Sequence, residues 1–236
     1  MEEIIRQLKR LGVHILCNHD DILVEIDNYE HVKFYEVDSC LHDLLIKNKE
    51  KRILLQCSKA IHEQLPIIQV KMKLTGERIL FSKDLIQTGV ERVSSFEVWP
   101  PFDPKSISFL SKVMNVSEVT ALRYLQNMKS ELPTQIDQMF TVFRVNDIPL
   151  GVVFPHIEPD TNLEGRLFWI GILPIYQGRG YGRALHCLGL ERLKHHFYAK
   201  TYVGATSSEN IPMQKIMTSN GCIQKGTLLT FEYKCE

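Results

Sequence analysis

The chain has 236 residues, 44% of them hydrophobic and 24% charged, enough to bury the core of one large or two small globular domains. Its 28 basic residues balance 28 acidic ones, so net charge recommends neither a nucleic acid nor an anionic membrane as partner. The start, Met1-Glu2-Glu3-Ile4-Ile5-Arg6, lacks the pattern of a signal peptide, no apolar run reaches the ~18 residues of a membrane span, and the six cysteines form no CxxC pair. These features predict a cytoplasmic protein with reduced thiols, most of them small buried hydrophobes.

No repeat of fixed period and no low-complexity tract is visible. Apolar residues at helical spacing predict a helix over Glu3 to Leu11, and short strands follow at Val13 to Cys17, Ile22 to Ile26 and Val32 to Val37. Ser39 is placed to cap a helix through Ile46, Arg52 to Gln56 reads as a strand, and Thr75-Gly76 reads as the turn of a hairpin between Val70 to Leu74 and Arg78 to Phe81. Residues 1–90 thus form a small α+β domain of unassigned role, with the boundary between about Asp84 and Val93.

From Val93 the predicted order is a strand, helices at Lys105 to Met114 and Ser117 to Lys129, then strands at Met139 to Val145 and Leu150 to Phe154 joined by an Asn146-Asp147 turn. A strand at Arg166 to Leu173 stops at Pro174, and a glycine-rich loop leads into a helix from about Arg183 to Phe197. A strand at Thr201 to Ala205, a helix at Pro212 to Thr218 and a closing strand pair around Ile223 to Tyr233 complete the chain.

Strand, glycine-rich turn and helix in that order put free backbone N–H groups at a helix N-terminus, where the dipole favours an anion. Gly178, Gly180 and Gly182 let the backbone approach a phosphate, and Arg179 and Arg183 can add charge-assisted contacts. The loop lacks the Gly-Lys-Ser/Thr ending of a P-loop and the spacing of a dinucleotide fingerprint. Taken alone it also fits glycines that merely end a strand and start a helix.

Gln177-Gly178-Arg179-Gly180-Tyr181-Gly182, preceded by Ile172-Leu173-Pro174, resembles the signature of the GNAT superfamily of N-acetyltransferases, Arg/Gln-x-x-Gly-x-Gly/Ala after a strand ending in hydrophobic-x-Pro. A second family feature follows at the right spacing: Asn210, a short helix over Met213 to Thr218, and Asn220-Gly221-Cys222. The resemblance covers residues 93–236 and implies an α/β, α+β-type mixed sheet, the GNAT acyl-CoA N-acyltransferase fold, with the N-terminal α+β domain added to it. It implies a sheet splayed beside Leu173, a pantetheine arm bonded to backbone at Ile172 and Leu173, a pyrophosphate resting on residues 178–183, Tyr181 included, and Asn210 facing the arm. Asn210 can equally cap the helix after it, and one residue can do both.

Aminolysis of a thioester needs a group to take the ammonium proton and one to return a proton to the thiolate. Relatives place the base on the strand before the loop, where this chain has Arg166 and Phe168, and an acidic tyrosine seven residues after the asparagine, where it has Met217. Glu158, Asp160, Glu164 and Glu209 are the remaining carboxylate candidates, and each also reads as a solvated loop residue. Tyr202 and Tyr176 are loose substitutes for the acid, with core packing as their other use. His14, Cys17 and His19 lack further ligands for zinc, so no metal is expected; His195-His196 suits a helix C-terminus, Trp169 suits the core rather than a ligand platform, and Trp99 suits either a cleft or the domain seam.

The resemblance implies an acetyl-CoA-dependent N-acetyltransferase acting on an amine, whether of a small molecule or of a protein, by direct attack; a homodimer stays open. The competing reading is a non-catalytic acyl-CoA-binding module. A further reading takes the N-terminal domain as a worn partial copy of the same fold.

Overall fold

The computed structural model describes residues 1–18, 20–26, 33–48, 50–89 and 96–233. By backbone proximity the chain forms two compact units, Met1–Ile79 with the stretch from Gly226 onward, and Leu80–Lys225. The divisions fall within two strands, whereas the sequence places one boundary between about Asp84 and Val93, of which residues 90–93 lie outside the described ones.

In the first unit, α1 (Glu2–Arg10) leads to a hairpin of β1 (His14–Cys17) and β2 (Asp21–Ile26), whose alternation buries Ile22, Val24 and Ile26. Helix α2 (Phe34–Lys47) crosses over to β3 (Arg52–Cys57), parallel to β2, as parallel pairing requires. Two short helices follow, α3 (Lys59–His62) and α4 (Pro66–Lys71), then β4 (Lys73–Asp84). Strand β10 (Ile223–Tyr233) returns from the far end of the sequence and pairs antiparallel with β3, giving the order β1-β2-β3-β10-β4. Leu8, Val24, Leu44, Leu55, Ile68 and Phe231 belong to its one core.

Three sequence expectations fail here. The described part of the predicted strand at Val32 to Val37 is the start of α2, with residues 27–32 outside the described ones, and Ser39 lies inside that helix. Val70 belongs to α4, because the buried carboxylate of Asp38 accepts from the N–H groups of Ile67 and Ile68 at 2.9 and 3.1 Å and so fixes a helix start behind Pro66. Thr75-Gly76 makes no turn: β4 runs straight through, Thr75 donating to the carbonyl of Thr230, and pairing with β10 outweighs local turn preference.

In the second unit, β5 (Phe96–Val98), α5 (Pro104–Met114), α6 (Glu118–Glu131) and α7 (Ile136–Met139) precede a meander of β6 (Thr141–Val145), β7 (Ile148–Ile157) and β8 (Glu164–Ile172). Asp103 accepts from the Lys105 N–H and Ser117 from that of Thr120, which starts α5 and α6 where the sequence predicts. Asn146 and Asp147, at φ 47° and 64°, turn the chain between β6 and β7 as a two-residue hairpin demands. A 3-10 turn (Pro174–Tyr176), α8 (Tyr181–His195), β9 (Thr201–Ser207) and α9 (Ile211–Ser219) follow, and the order here is β4-β9-β8-β7-β6-β5. The predicted closing strand pair is the single strand β10.

One face of this sheet packs on α5 and α6 around Phe109, Leu125, Phe140 and Phe154, and the other on α8 around Val153, Leu185 and Leu188. Mixed parallel and antiparallel pairing with helices on both faces is the predicted fold class. Among the described residues no helix is long and apolar enough to cross a membrane.

Candidate functional site

Strands β8 and β9 pair only at Glu164 with Thr201 and Gly165 with Tyr202, although β8 continues to Ile172 and β9 to Ser207. Beyond Gly165 the parallel neighbours part. On its other edge β8 stays paired with β7, but there Val153 faces Ile170 and Pro155 faces Leu167, so Phe154 alone opposes both Phe168 and Trp169. This bulge bends β8 where the gap begins.

The register decides which backbone groups meet the gap. Leu173 donates its N–H to the carbonyl of Leu150 at 2.8 Å, so the next pair, Gly151 with Ile172, is a non-hydrogen-bonded one. The backbone groups of Ile172, and two residues earlier of Ile170, therefore point away from β7 and into the gap. Gln177 confirms this direction, its Nε2 donating to the Ile172 carbonyl at 3.0 Å. The Leu173 N–H is thus used within the sheet, and Ile172 and Ile170 turn theirs toward the gap.

The loop closes the same end. Gly178 and Gly180 hold φ of 73° and 85°, in the left-handed region, and a Cβ built on either meets nothing within 4 Å. Gly180 is the N-cap of α8, and no side chain caps the first turn of that helix; of its opening N–H groups, that of Arg183 bonds the Gly180 carbonyl at 3.3 Å. Tyr181 begins α8, 6.5 Å from the ring of Phe143, and the Arg179 guanidinium lies 5.6 Å from the ring of Tyr176. A Cβ on Gly182 would stand 2.9 Å from Ile216, so this glycine allows α8 and α9 to touch. Asn210 caps α9, its side chain accepting from the Met213 N–H at 3.2 Å.

The carboxylates divide. Glu158 is 2% exposed, with Oε2 3.4 Å from Nε of Arg166 and 3.2 Å from Nε2 of His156, so the solvated-loop reading of this residue is wrong. Glu164 accepts from the same Arg166 nitrogen at 2.7 Å. Arg166, where relatives have a base, is thus a cation shared by two carboxylates. Glu209 and Asp160 are exposed. Met217 is 3% exposed, and a Cβ on Gly204 would lie 3.1 Å from its methyl, so it packs as a core residue. His14 and Cys17 lie on β1, Cys17 exposed, and His19 lies outside the described residues. Trp99 belongs to the core, its indole N–H donating to Glu97 at 2.7 Å.

A polar chain that sequence reasoning missed lies behind β9. Asn220 donates to the Arg183 carbonyl at 3.0 Å, which fixes its amide orientation, and also to Nδ1 of His186 at 2.9 Å. His186 therefore carries its proton on Nε2, 3.2 Å from the hydroxyl of the fully buried Tyr202, which is a core residue as one reading allowed. Burial, helped by the Lys83 ammonium, pushes His186 down to about 3, and burial pushes the Tyr202 phenol up. Nothing in local sequence marks an internal histidine of an amphipathic helix as buried.

The sign follows. His186 has a folded value below its usual 6.5, so its contribution is intact above pH 6.5 and is lost as pH falls toward 3, at up to ~1.4 kcal/mol per pH unit. His186→Gln removes the titration, so the stability of this variant relative to the parent should rise by about 2 kcal/mol between pH 6.5 and 5. Urea unfolding at both pH values checks this; an unchanged difference would mean that His186 charges inside the fold.

No family model matches the sequence, and no curated protein is similar to it in sequence. Solved structures are similar to the chain in fold. A GCN5-related N-acetyltransferase from Kribbella flavida superposes with a TM-score of 0.62 at 10% identity, over 100% of this chain and 95% of that one. A tandem GNAT protein from the clavulanic acid biosynthesis pathway gives 0.59 at 11% identity, over 89% and 74%. An acetyltransferase of the GNAT family from Colwellia psychrerythraea gives 0.58 at 11% identity, over 88% and 76%.

Proposed function

We propose that this chain, which has the GNAT fold, binds acetyl-CoA in the gap between β8 and β9 and passes its acetyl group to an amine. The observation that carries the reading is the parting of β8 from β9 beside a glycine loop at a helix N-terminus. Ile170 and the N–H of Ile172 offer an added strand backbone groups that β9 leaves unused, the Ile172 carbonyl being held by Gln177. The opening N–H groups of α8, with Arg179 and Arg183, receive the pyrophosphate, and Asn210 lies at the start of the helix after β9.

In the reaction the amine nitrogen attacks the thioester carbonyl, a C–N bond forms, the C–S bond breaks, and the amine proton and the thiolate end in solution or on each other. An N–H at Ile172 is placed to polarise the carbonyl, and positioning supplies much of the rate. Glu158 and Glu164 are bound to Arg166, which leaves exposed Asp160 and Glu209, and water, as proton acceptors. Extension of the neighbours over 88 to 100% of the chain supports reading the N-terminal unit as a partial copy of the same fold.

A second reading, an acyl-CoA-binding module without turnover, is favoured by Arg166 and Met217 at the two positions where chemistry is expected. Calorimetry with acetyl-CoA and a thiol-release assay over a broad set of amines separate the two. Binding with turnover supports the transferase, binding alone supports the module, and the absence of binding sinks both.

A further inference from the structure

We infer that the acceptor is an amine carried on a flat apolar or aromatic body, and that Trp169 selects it. The inference rests on the acyl-transfer reading above. Trp169 sits in the β8 bulge, one residue from Ile170, so its Cα lies ~3.8 Å from that of a residue whose backbone faces the gap. Its side chain is on the α5 and α6 face, opposite to α8, and is only partly buried there. It thus adjoins the stretch of β8 that lies past its last pair with β9.

The indole is laid back along the strand: a Cβ on Gly171 would fall 2.2 Å from its Cη2 and 2.7 Å from its Cζ3, so glycine at 171 is what lets the ring lie there. The wall continues with Phe168, edge-on to Tyr124 at 5.7 Å, and Leu173. Unlike that of Trp99, which is bonded to Glu97, the indole N–H of Trp169 has no side-chain or backbone acceptor among the described residues. A tryptophan that packs only partly and leaves its donor unused is free to serve a ligand. The neighbouring carboxylates Glu158 and Glu164 are taken up by Arg166, so this wall suits an apolar amine better than a polycation.

Two measurements on the full chain test this. In thiol release with saturating acetyl-CoA, 2-phenylethylamine should exceed 2-methoxyethylamine in kcat/KM by about tenfold or more, and Trp169→Ala should collapse that ratio toward one, chiefly through KM. Independently of turnover, the chain has two tryptophans, so in a Trp99→Phe background the fluorescence of Trp169 should change saturably on titration with 2-phenylethylamine and not with 2-methoxyethylamine. Gly171→Ala, which displaces the indole, should weaken that response. Equal efficiency for the two amines, a ratio untouched by Trp169→Ala, or fluorescence indifferent to the aromatic amine overturns the inference. Acetyl-CoA affinity, measured separately by calorimetry, judges the cofactor reading on its own.

Discussion

Gly180→Asp should weaken acetyl-CoA binding by about a hundredfold or more while the protein stays folded. At φ 85° a non-glycine residue pays roughly 1 kcal/mol, yet no atom lies within 4 Å of the new Cβ, and aspartate tolerates this region better than most residues. The helix dipole also favours a carboxylate at the N-terminus of α8, which offsets part of that cost. On the proposed reading the same carboxylate crowds and repels a phosphate at this helix end, and a hundredfold corresponds to ~2.7 kcal/mol, the scale of one or two charge-assisted hydrogen bonds. Gly180→Ala, which adds strain without charge, should lose only a few-fold. Calorimetry beside a thermal melt decides it; a folded aspartate variant with parental affinity would reduce the loop to a connection.

Phe231→Ala should cost the N-terminal unit about 3–5 kcal/mol, a large share of the stability of a small unit. Phe231 is 4% exposed, lies in the core of that unit, and stacks on His62 with ring centroids 3.8 Å apart and planes 12° from parallel. Its register partner on β3 is Leu55, itself 1% exposed, so truncation removes packing from a buried neighbour as well as from His62. Urea unfolding of the full chain measures the loss. A cost below about 1 kcal/mol would mean that β10 contributes little to this core.

The second unit was largely legible because its signals are local. Asp103-Pro104, Ser117, Asn146-Asp147 and the glycine loop each specify a cap or turn by their own chemistry, and the structure places a helix start or a reversal at every one. The first unit was less so, since α4 is fixed by a carboxylate from α2 and β4 by pairing with a strand about 150 residues away, and no window of sequence contains either cause. In the site, the loop was readable from its glycines, and the gap beside Leu173 was expected from the family resemblance alone. The register that gives Ile172 rather than Leu173 the free N–H depends on β7, and the enclosure of Glu158 depends on Arg166 meeting it across two strands.

The position of β10 between β3 and β4 bears on how the protein is made. Thr75 waits for Thr230, 155 residues downstream, before its hydroxyl has a partner. At ribosomal rates of about 5–20 residues per second that interval lasts roughly 8 to 30 seconds, during which the apolar faces that Leu229 and Phe231 will cover remain open. For that time the nascent chain carries an unclosed strand edge beside β3, the kind of surface that chaperones hold, and slowing translation between these points should lengthen its dependence on them.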